Sequence, residues 1–256
     1  MTLYSMPLNP PEVAIRPPTP IIALDVKSSD EAIALVRRVP SATFVKVGFQ
    51  LFTAAGPEVV RRLRGLGKRV FLDLKVHDIP NTAARTVDSA SDLGVDLLTL
   101  HASGGADMLM AAREAADRRG LDSPKLLAVT VLTSLSNEAL DDAWGRTDAS
   151  VADEVVRLAA LASDKDMDGV VASVHEIPGI RTLDHPGFLI LTPGIRLAGD
   201  GAGDQKRVAT PFEASRLGAD YVVIGRSITA AESPEAAFDS VLSELRQGMA
   251  RRGDGT

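Results

Sequence analysis

The sequence predicts an α/β fold, a single-domain (β/α)8 TIM barrel, and three observations lead to this expectation. Eight short apolar, β-rich runs follow one another along 256 residues, and longer stretches with helical spacing separate them. The runs are almost continuously apolar, which is typical of parallel strands covered on both faces. Eight such units in this length favour a closed barrel over an open doubly wound sheet.

The elements follow the chain in a regular order. The predicted strands are IIALDV, TFVKVG, RVFLDLK, DLLTL, KLLAVTVLT, GVVAS, FLILTPG and YVVIG. Apolar residues three and four apart predict outer helices in EAIALVRRV, DMLMAAREAADRR and VADEVVRLAALA. Residues 1–20 contain six prolines, so we expect an extended arm before a barrel domain at 21–247. Residues 248–256 are predicted to form a polar tail.

Composition limits the classes of partner. With 28 Lys+Arg against 34 Asp+Glu the net charge is -6, so we expect no nucleic acid or membrane partner, and an anionic ligand needs a local basic pocket. The apolar runs are too short to span a bilayer and the first residues do not resemble a signal peptide, so we expect a cytoplasmic protein. The chain has no cysteine, and its four histidines lack metal-ligand spacing, so we predict no metal.

Charged and polar residues stand at or just beyond the ends of six predicted strands. Chemistry in this class of barrel occurs at the carboxyl ends of the strands, so we expect these side chains to converge on one mouth. They are Asp25, Lys46, Asp73, Lys75, Thr133, Arg196 and Arg226.

Asp73 and Lys75 are two residues apart in the third strand, so in a regular strand they project to the same face. The functional interpretation is a catalytic pair, with Lys46 as a second cation flanking Asp73. The alternative is a structural ion pair, although burying such a pair rarely improves stability over apolar residues. Asp78 precedes Ile79 and Pro80, and its structural interpretation is a helix N-cap.

A second group of residues has the chemistry of a phosphate site. TPGIR at 192–196 and VVIGRS at 222–227 place glycine and arginine after the last two strands, where barrels often bind phosphate. The alternative for a lone arginine is a solvated surface charge. We expect Lys206 and Arg207 to be surface charges, and 137–146 to be a loop or short helix.

Taken in order, IALDV, DLKVHDIPNT, VTVLTS, LTPGIR, GDQKR and YVVIGRSI resemble the motifs of the orotidine 5'-phosphate decarboxylases, over roughly residues 20–230. The resemblance implies a barrel homodimer with shared active sites. It also implies conversion of orotidine 5'-phosphate to uridine 5'-phosphate (UMP) and carbon dioxide, the last step of UMP biosynthesis, with no cofactor or metal.

The resemblance also implies roles for individual residues. Lys75 would donate a proton to C6 of the pyrimidine, Asp73 would lie beside the departing carboxylate, and Lys46 would hold Asp73 ionised while contacting the ribose. The other implied contacts are Asp25 on a ribose hydroxyl, Asp78, Ile79 and Thr82 in the partner's site, Thr133 and Ser134 facing the pyrimidine, and Arg196, Gln205, Gly225 and Arg226 on the phosphate. The glycine-rich loop 197–204 would act as a lid.

Two rival functions remain at this stage. A hexulose-phosphate synthase of the same superfamily also carries Asp-x-Lys-x-x-Asp but relies on magnesium, and IPNT, LTS and DQ in this chain favour the decarboxylase instead. A non-catalytic nucleotide-binding protein is the other rival. Retention of both lysines and both aspartates argues against it, because binding a nucleotide does not require that costly array.

Overall fold

The protein, in a computed structural model that describes residues 16–145, 147–148, 150–198 and 208–252, forms a closed barrel of eight parallel strands in sequence order. The predicted (β/α)8 fold is therefore confirmed. The strands are β1 Thr19–Ala23, β2 Phe44–Gly48, β3 Arg69–Val76, β4 Leu97–His101, β5 Lys125–Val129, β6 Gly169–Val171, β7 Leu189–Ile195 and β8 Tyr221–Ile224.

Helices alternate with the strands and cover the barrel. Those in the described residues are α1 Ser29–Arg38, α2 Phe49–Ala55, α3 Glu58–Gly65, α4 Pro80–Asp92, α5 Ala106–Arg119, α6 Asn137–Trp144, α7 Val151–Asp164, α8 Ile177–Arg181, α9 Pro211–Leu217, α10 Arg226–Thr229 and α11 Pro234–Ala250. In the described part of the chain, none of them is long and apolar enough to cross a membrane.

Two apolar layers build the core. A large cluster packs the outer faces of the strands against the helices. A second cluster, the inner plug, fills the barrel with Ile21, Ala23, Phe44, Phe71, Leu97, Leu127, Val129, Val171, Leu191 and Val223. Because side chains alternate along a strand, the residues two positions beyond the plug face the same interior. In β2, β3 and β4 these residues are Lys46, Asp73 and Thr99, so a polar layer lies directly above the apolar one.

Two element boundaries differ from the expected ones. Strand β1 starts at Thr19, within the predicted arm, because it already pairs with β8 there, whereas its described pairs with β2 begin only at Ile22. Helix α11 continues past residue 247 to Ala250. Gly248 is buried where α11 meets α9, and a Cβ there would lie 2.2 Å from the Phe212 carbonyl oxygen. Residues 1–15 of the arm and 253–256 of the tail lie outside the described residues.

Three aspartates repeat one arrangement at the amino-terminal end of the barrel. Each directly precedes an even-numbered strand, accepts a hydrogen bond from the backbone N–H of the second residue of the strand before it, and pairs with an arginine. Asp96 accepts from the Val70 N–H at 2.9 Å and pairs with Arg69. Asp168 accepts from the Leu126 N–H at 2.8 Å and pairs with Arg113. Asp220 accepts from the Ile190 N–H at 2.8 Å and pairs with Arg181. The aspartates thus satisfy donors that the sheet leaves unpaired.

The first strand pair explains why the arrangement occurs three times rather than four. The second residue of β1 is Pro20, which has no N–H to satisfy. Ile22 pairs with Val45, so the same register two residues earlier places Thr43 opposite Pro20. An aspartate at position 43, directly before β2, would therefore find no backbone N–H to bind.

Replacing Asp168 with alanine should therefore lower the free energy of unfolding by about 1–3 kcal/mol, because the buried Leu126 N–H loses its acceptor. Asp117 is the matched control, since it pairs with the same Arg113 at 2.8 Å but is 66% exposed. Asp117→Ala should cost less than about 0.5 kcal/mol. Urea unfolding at a fixed protein concentration measures both values, and equal losses would contradict the role of the backbone hydrogen bond.

Candidate active site

Lys46 is the centre of a charged group above the inner plug. Its Nζ lies 3.0 Å from Oδ1 of Asp25 and 3.7 Å from Oδ2 of Asp73, and its side chain is only 11% exposed. Gly48 leaves room for the ammonium, because a Cβ at this glycine would lie 2.7 Å from Nζ. A larger residue at position 48 would push Lys46 away from its two carboxylates.

Lys75 joins the same group through Asp73. Its Nζ donates a hydrogen bond to Asp73 Oδ1 at 2.8 Å, so Asp25, Lys46, Asp73 and Lys75 form a chain of alternating charges, which we call the charged array. Asp73 is 13% exposed, and ammonium groups stand near both of its oxygens. Such pairing offsets the cost of holding a carboxylate away from water.

The backbone that brings Asp73 and Lys75 together is not the regular strand that the sequence suggested. Lys75 has φ +51°, in the left-handed region that non-glycine residues avoid, and the β3–β4 register shifts between Leu72 and Val76. Simple alternation along the strand therefore does not account for the meeting of the two side chains. A bulge in β3 turns Lys75 back towards Asp73.

Thr99 is a member of this site that the sequence pattern did not indicate. It is fully buried, its Oγ1 accepts a hydrogen bond from the Lys75 N–H at 2.9 Å, and its hydroxyl donates to Asp73 Oδ1 at 3.0 Å. The available signal was a polar residue inside DLLTL, on the interior face two positions after Leu97.

His101 borders the array at the end of β4. Its ring centroid lies 5.2 Å from that of His77. Burial, followed by the charges of His77 and Lys75, lowers the pKa of His101, and the Asp73 carboxylate opposes this only in part. Because an ordinary histidine pKa is about 6.5, the imidazole is neutral at pH 7 and adds no positive charge beside Lys75.

A cavity of about 410 Å³ opens beside the array at the carboxyl ends of the strands. It brings together five of the residues singled out in the sequence, namely Asp25, Lys46, Arg196, Gly225 and Arg226. Gln50 and Thr229, which the sequence did not suggest, also line it. Two arginines and a lysine make this cavity suited to an anion.

The segment after β3 lies outside the array of its own chain. Asp78 is exposed and its Oδ1 accepts a hydrogen bond from the N–H of Ile79 at 2.7 Å. The N-cap of α4 is Ile79 rather than Asp78, because Pro80 takes the first helical position. Ile79 is 65% exposed. Thr82 is exposed in the first turn of α4 and borders a separate cavity with Leu74.

The remaining residues singled out in the sequence are less close to the array or are not described. Thr133 and Ser134 form a turn four residues beyond the end of β5, and they are not among the described lining of the 410 Å³ cavity. Gln205, Lys206 and Arg207 lie outside the described residues, as does most of the predicted lid at 197–204. The 137–146 stretch begins with helix α6.

A cavity of about 610 Å³ opens at the amino-terminal end between Arg16, Arg181 and Tyr221. Barrels of this class carry their chemistry at the opposite end, so the smaller cavity beside the array is the better candidate. The described residues include no group of three or more His, Asp or Glu side chains that could hold a metal ion.

Comparison with known proteins agrees with this geometry. A protein named orotidine 5'-phosphate decarboxylase from Streptococcus mutans is 46% identical over 232 residues, covering 90% of this chain and 99% of the relative. Another of that name from Sodalis glossinidius is 49% identical over 231 residues, covering 90% and 91%. The crystal structure of orotidine 5'-phosphate decarboxylase from Lactobacillus acidophilus superposes with a TM-score of 0.79 at 35% identity, covering 90% and 99%. Since the family model also matches residues 18–241, the chain belongs to the Orotidine 5'-phosphate decarboxylase / HUMPS family.

Proposed function

We propose that the protein converts orotidine 5'-phosphate to UMP and carbon dioxide, the last step of UMP biosynthesis, without a cofactor. The observation that carries this proposal is the array of Asp25, Lys46, Asp73 and Lys75 beside a cavity that contains two arginines. Relatives that are 46% and 49% identical over nearly the whole chain carry the name of this activity.

Lys75 performs the central step in this proposal. The bond between C6 and the carboxylate breaks, carbon dioxide leaves, and the electron pair remains on C6. The ammonium of Lys75 stabilises this charge and gives C6 a proton, after which the amine takes a proton from solvent. A preorganised donor of this kind contributes about 10²–10³-fold to a rate, and general acid catalysis about 10²–10⁴-fold.

The other members of the array hold Lys75 and the sugar. Asp73 fixes the ammonium at 2.8 Å and lies beside the departing carboxylate. Lys46 stands 3.7 Å from Asp73 Oδ2 and contacts the ribose. Asp25, whose side chain is 62% exposed, can turn from Lys46 to a ribose hydroxyl.

The 410 Å³ cavity beside the array binds the phosphate in this proposal. Arg196 and Arg226 provide the charge, and Gly225 permits close approach of the backbone. By resemblance Gln205 completes this group, and Thr133 and Ser134 face the pyrimidine. Binding a phosphate remote from C6 supplies energy that positions the base against Lys75.

A homodimer with shared sites, in the cytoplasm, is part of the proposal. Phe49 and Ile79 are 68% and 65% exposed, and they follow the strands that carry Lys46 and Lys75. Large apolar side chains in such positions suit a contact with another subunit. Asp78, Ile79 and Thr82 would then enter the partner's site, which explains why they lie outside the array of their own chain.

The geometry favours the decarboxylase over a magnesium-dependent synthase. Asp73 receives hydrogen bonds from Lys75 and Thr99 on one oxygen and faces Lys46 with the other. A carboxylate surrounded by ammonium groups is a poor ligand for a divalent cation. A protein that only binds nucleotides has no use for a proton donor held in this strained position.

The assay of the proposed function is turnover of orotidine 5'-phosphate with a chelator present. The pyrimidine absorbance should change and UMP and carbon dioxide should form in equal amounts. Aldol activity that returns only with magnesium would identify a synthase instead. Tight binding without product would identify a nucleotide-binding protein.

Replacing Lys75 with alanine or glycine should lower kcat by at least about 10³-fold, because the proton donor and the charge near C6 are both removed. Lys75→Gly should be more stable than Lys75→Ala by about 1 kcal/mol, since only glycine adopts φ +51° without strain. The control is Lys125→Ala, an exposed lysine at the start of β5, which should have normal kcat. Near-normal kcat in either Lys75 variant would remove Lys75 from the mechanism.

Mixing inactive Asp78→Ala and Lys75→Ala proteins should restore about a quarter of the wild-type activity. Half of the dimers become hybrids, and a two-fold dimer places one intact site in each hybrid if Asp78 serves the partner. Lys75→Ala mixed with Asp73→Ala is the control, because both residues belong to the same chain's array and no hybrid site is intact. Equal activities of the two mixtures, after verified subunit exchange, would refute sharing.

A further inference from the structure

The bulge in β3 leaves one backbone donor that the strand ladder does not satisfy. Leu72 pairs with Leu98 and Val76 pairs with Leu100, so three residues of β3 stand opposite the single residue Thr99 of β4. The extra residues of a bulge lose their regular hydrogen bonds to the neighbouring strand. The N–H of Lys75 is bound instead by the Thr99 side chain, at 2.9 Å.

The Thr99 hydroxyl has a fixed direction because of this contact. Its oxygen accepts the Lys75 N–H, and its own hydrogen lies on the bond to Asp73 Oδ1, at 3.0 Å. The same Oδ1 accepts the hydrogen bond from Lys75 Nζ. One fully buried hydroxyl therefore contacts both the backbone that carries the proposed proton donor and the carboxylate that orients it.

We propose that Thr99 is a positioning residue that sets where the Lys75 ammonium stands. The inference rests on the proposed function of Lys75. A left-handed lysine persists only when its surroundings hold it there, and the Thr99 oxygen provides that hold. Without the hydroxyl, the Lys75 N–H loses its acceptor and Asp73 loses a donor, so the segment relaxes and the ammonium moves.

The effect should fall on the chemical step rather than on substrate binding. The cavity that carries Arg196 and Arg226 is lined from β1, β2, α2, β7, β8 and α10 and from residues that follow these strands, whereas Thr99 lies in β4 and is not part of the described lining. Misplacing a reacting group by about 1 Å can cost 10²-fold in rate. Loss of the Thr99 hydroxyl therefore lowers kcat and leaves KM nearly unchanged.

Three variants test this role. Thr99→Val keeps the shape and removes the hydroxyl, while Thr99→Ser keeps the hydroxyl and removes a methyl group. Thr130→Val is the matched control. Thr130 is also a buried threonine, and it lies one residue beyond the end of β5. Its hydroxyl donates to the Val171 carbonyl at 2.9 Å and not to the array. Thr99→Ala serves as a second hydroxyl-free variant if Thr99→Val does not fold.

We expect Thr99→Val to lower kcat by about 10–10²-fold with KM changed less than about threefold, and Thr99→Ser to recover most of the loss. Thr130→Val should keep a normal kcat even if its melting temperature falls. Equal kcat values for Thr99→Val and Thr130→Val, or no recovery in Thr99→Ser, would overturn the proposal.

A crystal structure of Thr99→Val separates failure of this inference from failure of the proposed function. If wild-type protein does not turn over orotidine 5'-phosphate, the proposed function fails. The position of Lys75 in the Thr99→Val crystal structure still tests whether Thr99 positions the ammonium. Displacement of the Lys75 Nζ from Asp73 supports the positioning role. An unchanged Lys75 with φ still near the wild-type value refutes it.

Discussion

The structure of the site depends on one partly buried carboxylate, that of Asp73, whose side chain is 13% exposed. Lys75 and Thr99 donate to one of its oxygens and Lys46 stands 3.7 Å from the other, so the side chain is surrounded by donors. A carboxylate so far removed from water would be costly with fewer partners. Each lysine is held in turn by the charge of Asp73, and removing the carboxylate would leave two ammonium groups to repel one another. The bulge in β3 is the backbone geometry that makes this set of contacts possible.

The two ends of the barrel divide stability from chemistry. At the amino-terminal end, Asp96, Asp168 and Asp220 satisfy backbone donors and pair with arginines, which ties successive strands together. At the carboxyl end the chain holds a left-handed lysine and several partly buried charges, which favour unfolding. The apolar inner plug separates the two ends. The left-handed backbone of Lys75 departs from regular strand geometry at the end where the chemistry is expected. The regular remainder of the barrel compensates for its cost in stability.

Much of this arrangement could be predicted from the sequence, and the exceptions share a physical cause. Apolar runs with polar ends indicated the eight strands and the convergence of Lys46, Asp73 and Arg226, because burial and strand direction are local properties of the pattern. The bulge could not be predicted, since it depends on how β3 meets β4, whereas the sequence pattern indicates only a regular strand with a period of two. Thr99 was missed for the same reason, because its role exists only opposite the bulge. The structural interpretation of Asp78 as a helix N-cap was wrong by one residue. The N-cap is Ile79, since Pro80 favours the first helical position.

The alternation of charge in the array has a consequence for how an anion is recognised. Two lysines and two aspartates cancel, and the whole chain carries a net charge of -6, so neither attracts an anionic substrate from a distance. In the proposed function, that attraction falls to Arg196 and Arg226, whose cavity adjoins the array. The array is then free to act on charge that moves during the reaction. In the proposed reaction, negative charge is transferred from the carboxylate to C6 as carbon dioxide leaves, and a Lys75 ammonium already fixed by Asp73 would stabilise it without reorganisation. Under this proposal a balanced array favours the transition state over the bound substrate, which is the condition for catalysis.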